Sequence, residues 1–200
     1  MQNRKNYVIK NVYEKKEKLG LVLQGETPKH GTEFSMFYDE EGIHVRIECE
    51  IGKMPRSAFK GEFVPVWQGN AVEVFLSPEG REDWYYEFDF APNGSYHHCH
   101  IYNPDGKTAY NHGLAPEHGV KGKIHIQKGF KKGVWTTEMF IPFAEMGLAG
   151  KSLDEIKGMP WRFNLYRIDC ETDEYSSFSP TRVGFINFHV SSSFADLIFE

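Results

Sequence analysis

Three features that would place a protein in a class at once are scarce in this sequence: long apolar runs, cysteine and excess positive charge. No apolar run approaches the roughly 18–20 residues that a membrane-spanning helix needs. The 23 basic and 28 acidic residues leave a formal net charge of −5, which offers a nucleic-acid backbone no excess of positive charge. The sequence therefore predicts neither a membrane span nor a nucleic acid as partner.

Cysteine occurs only three times, as Cys49, Cys99 and Cys170, so the three thiols cannot all pair within one chain. Their spacing matches no zinc or redox motif. The first seven residues lack the apolar core of a secretory signal. We expect a cytoplasmic protein with free thiols if the chain is complete, and a periplasmic or secreted protein if a leader has been removed.

Aromatic residues, in contrast, are abundant. They make up 15% of the 200 residues, as 16 Phe, 10 Tyr and 4 Trp. Aromatic side chains are enriched in β-strands and at recognition surfaces. The overall composition, 40% hydrophobic and 26% charged, is typical of a globular chain. Since no linker, charge block or repeat divides the sequence, we predict a single domain over residues 1–200.

Alternation with a period of two dominates the sequence and predicts β-strands. Helical signals are few: Ser152 and Glu155 form a short capping box, and residues 143–146 are compatible with a second turn. Turn-forming residues separate the predicted strands, which are Phe34–Tyr38, Ile43–Ile51, Ala71–Leu76, Trp84–Phe90, Ser95–Tyr102, Lys123–Gln127, Val134–Ile141, Trp161–Ile168 and Ala195–Phe199. We therefore predict an all-β fold, a two-sheet antiparallel β-sandwich of jelly-roll type with one or two short helical turns.

Several segments occur in an order and spacing similar to those of one known family. They are Trp67–Phe75, Tyr85–Phe88, Trp135 with Glu138, Ile141–Phe143, Trp161–Arg167, Phe188–Val190 and Phe194–Leu197. Together they resemble the family 9 carbohydrate-binding modules, over most of the chain from Phe34 onwards. The resemblance implies a β-sandwich that binds a mono- or oligosaccharide without cleaving it. It also implies a sugar held between two aromatic rings, sometimes with a structural calcium ion nearby.

The same resemblance implies a set of site residues. Trp67 precedes Glu73 by six residues, a spacing similar to that of the family's stacking tryptophan and its sugar-binding carboxylate. Arg167 resembles the family's polar contact on a later strand, and Phe178 or Tyr175 would supply the second ring. These residue types suit the task, because a pyranose ring stacks on a flat aromatic side chain while its hydroxyls bond to carboxylates and guanidinium groups.

The carboxylates of the predicted strands leave other roles open. Glu87 and Asp89 alternate with apolar residues as Glu73 does, so neighbouring strands would present all three on one face. Glu87 is a secondary candidate for sugar binding, whereas an acid/base pair of Glu73 with Glu87 or Asp89 would make a small glycan-acting hydrolase or lyase. The plainer alternatives are a solvated Glu73, a core side chain at Trp67, and an Arg167 that anchors a buried carboxylate.

A metal site on histidine is a third hypothesis. His98 and His100 share one strand face, where they could bind zinc or copper with His112 or His118 as a third ligand. A polar strand face with ordinary histidines is the alternative, and the sequence favours it.

Haem and calcium complete the possibilities. A haem would need axial ligands such as His189 with Met36, Met139 or Met146, which no sequence feature pairs. Structural calcium is compatible with the acidic turns at Asp39–Glu41 and at Asp169, Glu171, Asp173 and Glu174. No cofactor is predicted beyond this calcium, and the sequence leaves the oligomeric state open.

Overall fold

The computed structural model describes residues 4–14, 16–111, 120–127 and 133–200, and this part of the chain is almost entirely β-structure. One α-helix, α1 (Leu153–Lys157), and three 3₁₀ turns, Val66–Gln68, Phe143–Met146 and Ser191–Ser193, accompany the strands. The strands are β1 (Asn6–Ile9), β2 (Glu17–Lys18), β3 (Gly20–Leu21), β4 (Thr32–Tyr38), β5 (Gly42–Ile51), β6 (Ala71–Ser77), β7 (Trp84–Phe90), β8 (Tyr96–Tyr102), β9 (Tyr110–Asn111), β10 (Lys121–Gln127), β11 (Gly133–Pro142), β12 (Arg162–Asp169), β13 (Glu174–Ser177) and β14 (Ala195–Phe199). The all-β prediction is confirmed.

The smaller sheet, which we name sheet B, has the strand order β10–β11–β5–β4–β2 and is antiparallel throughout. A hairpin joins β4 to β5, and the backbone N–H of Asp39 donates to the carbonyl of Gly42 at the turn. Along β5, buried residues alternate with half-buried ones, as the period of two predicts.

The larger sheet, sheet A, has the order β1–β14–β12–β6–β7–β8–β9, and β13 and β3 extend it beside β12. The pairing of β1 with β14 is parallel, so the sandwich is not antiparallel throughout as predicted. This pair brings the first and last strands of the described chain together at one end of the sheet. Sheet A supplies the strands on which most of the predicted site residues lie.

Two apolar cores lie on the two faces of sheet A. The inner core fills the space between the sheets, where Val74 of sheet A packs with Ile47 of sheet B. The outer core lies on the opposite face, where Phe75 packs with residues outside the strands such as Val66 and Phe194. Because neighbouring residues of β6 belong to different cores, a side chain's parity in the strand decides which face it reaches.

Two of the four short helical segments among the described residues, α1 and Phe143–Met146, form where the sequence predicts them. Ser152 Oγ accepts a hydrogen bond from the backbone N–H of Glu155, and the Glu155 carboxylate accepts one from the backbone N–H of Ser152. The 3₁₀ turn Phe143–Met146 ends at Gly147, whose φ of 71° lies in the left-handed region. No helix in the described part of the chain has the length and apolarity to cross a membrane.

Candidate functional site

A cleft of about 470 Å³ opens on the outer face of sheet A. Four of the six residues that the sequence predicts as ligand contacts line it: Trp67, Glu73, Glu87 and Tyr175. They come from the 3₁₀ turn before β6, from β6, from β7 and from β13, which are separate in sequence. Sheet A therefore brings together most of the predicted site.

Trp67 is the exposed aromatic side chain of this cleft. It is the middle residue of the 3₁₀ turn, where it follows the fully buried Val66 and precedes the exposed Gln68. Its own surface is 42% exposed. The indole ring meets the ring of His97 edge-on, with 4.9 Å between centroids. Gly69 closes the turn so tightly that a Cβ there would lie 2.7 Å from the backbone nitrogen of Ala58. The turn holds Trp67 as a surface side chain, and the core alternative for this residue is wrong.

Three carboxylates, Glu73, Glu87 and Asp89, form what we call the carboxylate cluster. Glu73 lies opposite Asp89 in the pairing of β6 with β7, and Glu87 is two residues before Asp89 on the same face. One carboxylate oxygen from each lies within 4.8 Å of the other two. All three side chains are buried, and Asp89 is completely so. The prediction that they share one face is confirmed, whereas a solvated Glu73 is wrong because the outer core covers it.

The environment of the carboxylate cluster disfavours its ionised form. Burial raises the pKa of Glu73, Glu87 and Asp89, and the neighbouring carboxylates raise those of Glu73 and Asp89 further. In the described part of the chain, Glu73 Oε1 and both oxygens of Asp89 find no nitrogen or hydroxyl donor. Three such groups share protons at neutral pH unless a cation balances their charge.

His189 contributes a neutral polar ring to the wall of the cleft. Its Nδ1 lies 2.8 Å from the hydroxyl of Tyr85, and Asn103 Nδ2 donates to the same hydroxyl at 3.2 Å. The Tyr85 hydroxyl therefore links Asn103 and His189 at the wall of the cleft. Burial lowers the pKa of His189 to about 4, so the ring is uncharged at neutral pH.

The two candidates for the second aromatic ring lie in different places. Tyr175 is partly buried in the cleft, with its ring edge-on to that of Phe188 at 6.2 Å. Phe178 is 1% exposed and packs among Tyr7, Phe34 and Phe163 in the inner core. Phe178 borders a separate groove of about 790 Å³, but its ring is not available there as a stacking surface. The expectation that Phe178 contacts the ligand is corrected, because the chain turns it inward.

Arg167 also points away from the cleft. Its guanidinium is buried between the sheets and donates to Asp169 Oδ2 at 3.1 Å, to Thr32 Oγ1 at 2.9 Å and to the carbonyl of Glu50 at 2.7 Å. His30 Nδ1 lies 2.8 Å from the same Asp169 oxygen. The expected sugar contact is therefore corrected to the structural alternative, a guanidinium paired with a buried carboxylate, because residue 167 has the inward parity on β12.

His98, a proposed ligand of zinc or copper, contacts a carboxylate of the protein. His98 Nε2 lies 2.9 Å from Glu145 Oε1, and both side chains are buried. His112 and His118, the proposed third ligands, lie outside the described residues. The described geometry thus assigns His98 to a buried pair with a carboxylate.

The haem hypothesis fails on position. Met36, Met139 and Met146 pack in the inner core, between the sheets. His189 lines the cleft on the other face of sheet A. A sheet separates the proposed axial ligands, so they cannot meet on one haem.

In the acidic turns proposed for calcium, carboxylates accept hydrogen bonds from the protein itself. Asp39 Oδ1 accepts from two backbone N–H groups of its own turn, and Glu171 Oε2 accepts from the N–H groups of Gly52 and Lys53. Asp169 is held by Arg167 as described above. These carboxylates therefore stabilise turns and the inter-sheet layer, in contrast to the carboxylate cluster.

Three solved structures resemble this one. A Bacteroides uniformis protein to which carbohydrate binding is ascribed has a TM-score of 0.78 at 20% identity, covering 99% of this chain and 100% of its own. A family 9 carbohydrate-binding module from Caldicellulosiruptor kristjanssonii gives a TM-score of 0.58 both with cellotriose (12% identity) and with glucose (10%). These two cover 98% of this chain and 94% and 96% of the module. No family model and no curated protein matches the sequence.

This chain has the fold of a family 9 carbohydrate-binding module. On the family 9 fold, sequence reasoning missed His97 and Phe188 as cleft residues and considered His189 only for haem. A signal existed for His97, because it alternates with Cys99 and Ile101 on the face of β8 that adjoins the carboxylate face of β7. Phe188 and His189 come from the segment before β14, which carries no periodic pattern.

Proposed function

We propose that this protein binds a mono- or oligosaccharide in the cleft of sheet A and does not cleave it. One observation carries the proposal: the exposed indole of Trp67 and the buried carboxylates of Glu73 and Glu87 line the same cleft. An apolar platform beside acceptors that water does not screen is the combination that a sugar ring requires.

The chemistry of a pyranose matches these groups. Its C–H face is weakly apolar and stacks on Trp67, a contact that contributes about 0.5–1.5 kcal/mol beyond apolar burial. Its hydroxyls hydrogen-bond to the carboxyl oxygens of Glu73 and Glu87, and these few polar groups fix the orientation of the ring. Tyr175 supplies a second ring at the wall, and the uncharged imidazole of His189 supplies a polar contact there.

The comparisons support the class of ligand. The C. kristjanssonii module shares this fold and forms complexes with cellotriose and with glucose. At 12% identity or less, the likeness supports a sugar as ligand without specifying which one.

Binding is a better account of the cleft than hydrolysis. Glycosidases place their two carboxyl groups on either side of the scissile bond. Glu73 and Asp89 are directly opposite each other on adjacent strands, so that their oxygens lie within 4.8 Å of each other in one surface. A single layer of this kind contacts a sugar from one side only.

Calorimetric titration of the full chain with glucose, cellobiose and cellotriose, followed by a wider panel of mono- and oligosaccharides, tests the proposal. We expect saturable binding to at least one sugar and at least about tenfold weaker binding in Trp67→Ala, since roughly 1.4 kcal/mol corresponds to a factor of ten. Tyr13→Ala is the matched control, because Tyr13 is similarly exposed and packs against Phe37 on sheet B.

Two results would contradict the proposal: no binding to any sugar of the panel, or equal affinity in Trp67→Ala and the unaltered chain. A reducing-sugar assay on the same panel addresses hydrolysis. Product release that Glu73→Gln abolishes would replace binding by an enzyme function.

A further inference from the structure

The carboxylate cluster concentrates more negative charge than its surroundings balance. Glu73, Glu87 and Asp89 offer oxygens within 4.8 Å of one another on the buried outer face of sheet A. In the described part of the chain, both oxygens of Asp89 and Oε1 of Glu73 have no nitrogen or hydroxyl donor. Buried carboxylates are ordinarily paired, hydrogen-bonded or bound to a metal ion.

A second polar side chain of the cleft, His97, bonds to the backbone of Phe63 through one ring nitrogen and leaves the other unpaired among the described residues. His97 lies directly opposite Asp89 in the pairing of β7 with β8 and lines the same cleft. It is 8% exposed, and its Nδ1 has no hydrogen-bond partner among the described residues. The unpaired nitrogen of His97 and the unpaired Oε1 of Glu73 thus belong to residues that line the same cleft.

We propose that Glu73, Glu87 and Asp89 bind a divalent cation of the calcium type at the floor of the cleft. Such cations prefer oxygen ligands, carboxylates among them, and take roughly 6–8 oxygens in all at about 2.3–2.6 Å. Opposite ligands of such an ion are therefore about 4.6–5.2 Å apart, which accommodates the observed spacing of up to 4.8 Å. The ion supplies the positive charge that the protein does not.

The position of this cation site relates it to the proposed ligand. Three carboxylates provide three to six oxygens, so a coordination number of roughly 6–8 leaves up to about five positions for water or ligand hydroxyls from the cleft. Coordination of a sugar hydroxyl rests on the proposed function, whereas cation binding itself does not. The two can therefore fail separately.

The other acidic groups of the chain are poorer candidates for the same ion. Asp39 and Glu171 accept backbone hydrogen bonds, and Asp169 is paired with Arg167. Binding a cation at those sites would sacrifice contacts with other parts of the fold, while binding at the carboxylate cluster would replace the hydrogen bond between Glu87 and Asp89.

The test is calorimetric titration of CaCl₂ into the full chain, after treatment with EDTA and dialysis into metal-free buffer at pH 7.5, with no sugar present. We expect one Ca²⁺ per chain, and at least tenfold weaker binding in both Asp89→Asn and Glu73→Gln. Glu40→Gln is the matched control: Glu40 is an exposed residue of the acidic turn, and its loss is expected to leave the affinity unchanged.

Circular dichroism of each variant establishes that the sandwich is formed. The proposal is overturned if the unaltered chain takes up no stoichiometric Ca²⁺ at millimolar concentration. It is also overturned if folded Asp89→Asn and Glu73→Gln bind Ca²⁺ as the unaltered chain does, or if Glu40→Gln is the variant that loses it. Sugar titration of the unaltered chain in EDTA and in CaCl₂ then shows separately whether the ligand contacts the ion.

Discussion

Two groups of buried ionisable side chains lie on opposite faces of sheet A, and they are built in opposite ways. The first, which we call the Arg167 network, consists of Arg167, Asp169 and His30 between the sheets. The second is the carboxylate cluster on the outer face. Both are nearly inaccessible to solvent. One combines a cation with its anion, and the other combines anions alone.

The pKa values reflect this difference. Burial acts to raise the pKa of Asp169, but the charge of Arg167 and hydrogen bonds from the Glu171 N–H and His30 outweigh it, and the pKa is lowered. In the carboxylate cluster, burial and repulsion act in the same direction and the pKa values are raised. A buried charge that is paired with an opposite charge stabilises the fold. Buried acidic groups without such a partner, beside a cleft, are where a ligand is expected.

The largest expected effect comes from unbalancing the Arg167 network. Arg167→Met removes the guanidinium that pairs with Asp169 and leaves that carboxylate buried without its charge partner. We expect the free energy of unfolding in urea to fall by about 3–5 kcal/mol.

The matched control for this loss is Arg46→Met, which removes a partly exposed guanidinium paired with Glu48 and Glu138 on sheet B. Its expected cost is below about 1 kcal/mol. Equal losses in the two variants would show that burial does not distinguish the two guanidinium groups.

The opposite sign is expected in the carboxylate cluster when no cation is present. Asp89→Asn replaces a fully buried carboxylate by an amide of the same shape, which can donate to Glu73 or Glu87. In EDTA at pH 8 we expect the free energy of unfolding to rise by about 1–3 kcal/mol, the range for an unsatisfied buried polar group. Destabilisation measured by urea unfolding under these conditions would mean that the cluster is balanced by contacts of its own.

The smallest effect is a dependence of stability on pH at Asp169. Because its pKa is lower in the folded than in the unfolded chain, Asp169 contributes stability above its unfolded pKa of about 3.9. That contribution is lost as the pH falls through the folded pKa, with a slope of up to about 1.4 kcal/mol per pH unit. Urea unfolding between pH 5 and pH 2 measures this slope, and Asp169→Asn is expected to flatten it. An unchanged slope in Asp169→Asn would show that the charge of Asp169 does not contribute to stability.

The long strands could be predicted from the sequence, because a half-buried strand alternates apolar and polar side chains along its length. Ile43–Ile51 differs from β5 only by Gly42, and Ala195–Phe199 is β14 itself. The strands of two to four residues, β1, β2, β3, β9 and β13, carry too few residues for a pattern. Their partners are distant in sequence, as in the parallel pairing of β1 with β14.

The candidate site could be predicted only in part. Which face of a sheet a side chain reaches, and where a loop runs, depend on distant segments. Glu73, Glu87 and Asp89 were placed on one face by their spacing. The aromatic pair was different: Tyr175 and Phe178 belong to one short segment, and nothing local distinguishes the one that reaches the cleft from the one that packs inward. Arg167 matched its expected strand but has the inward parity.

By itself, the sequence determined the class of fold, the positions of the long strands and the shared face of the three carboxylates. These properties follow from local periodicity and turn chemistry, which can be recognised in the sequence without knowing which segments pack together. Only the tertiary structure decided that the carboxylates are buried together and that Arg167 is matched by Asp169. Burial and charge balance depend on which distant segments cover a strand face, and no local pattern records them.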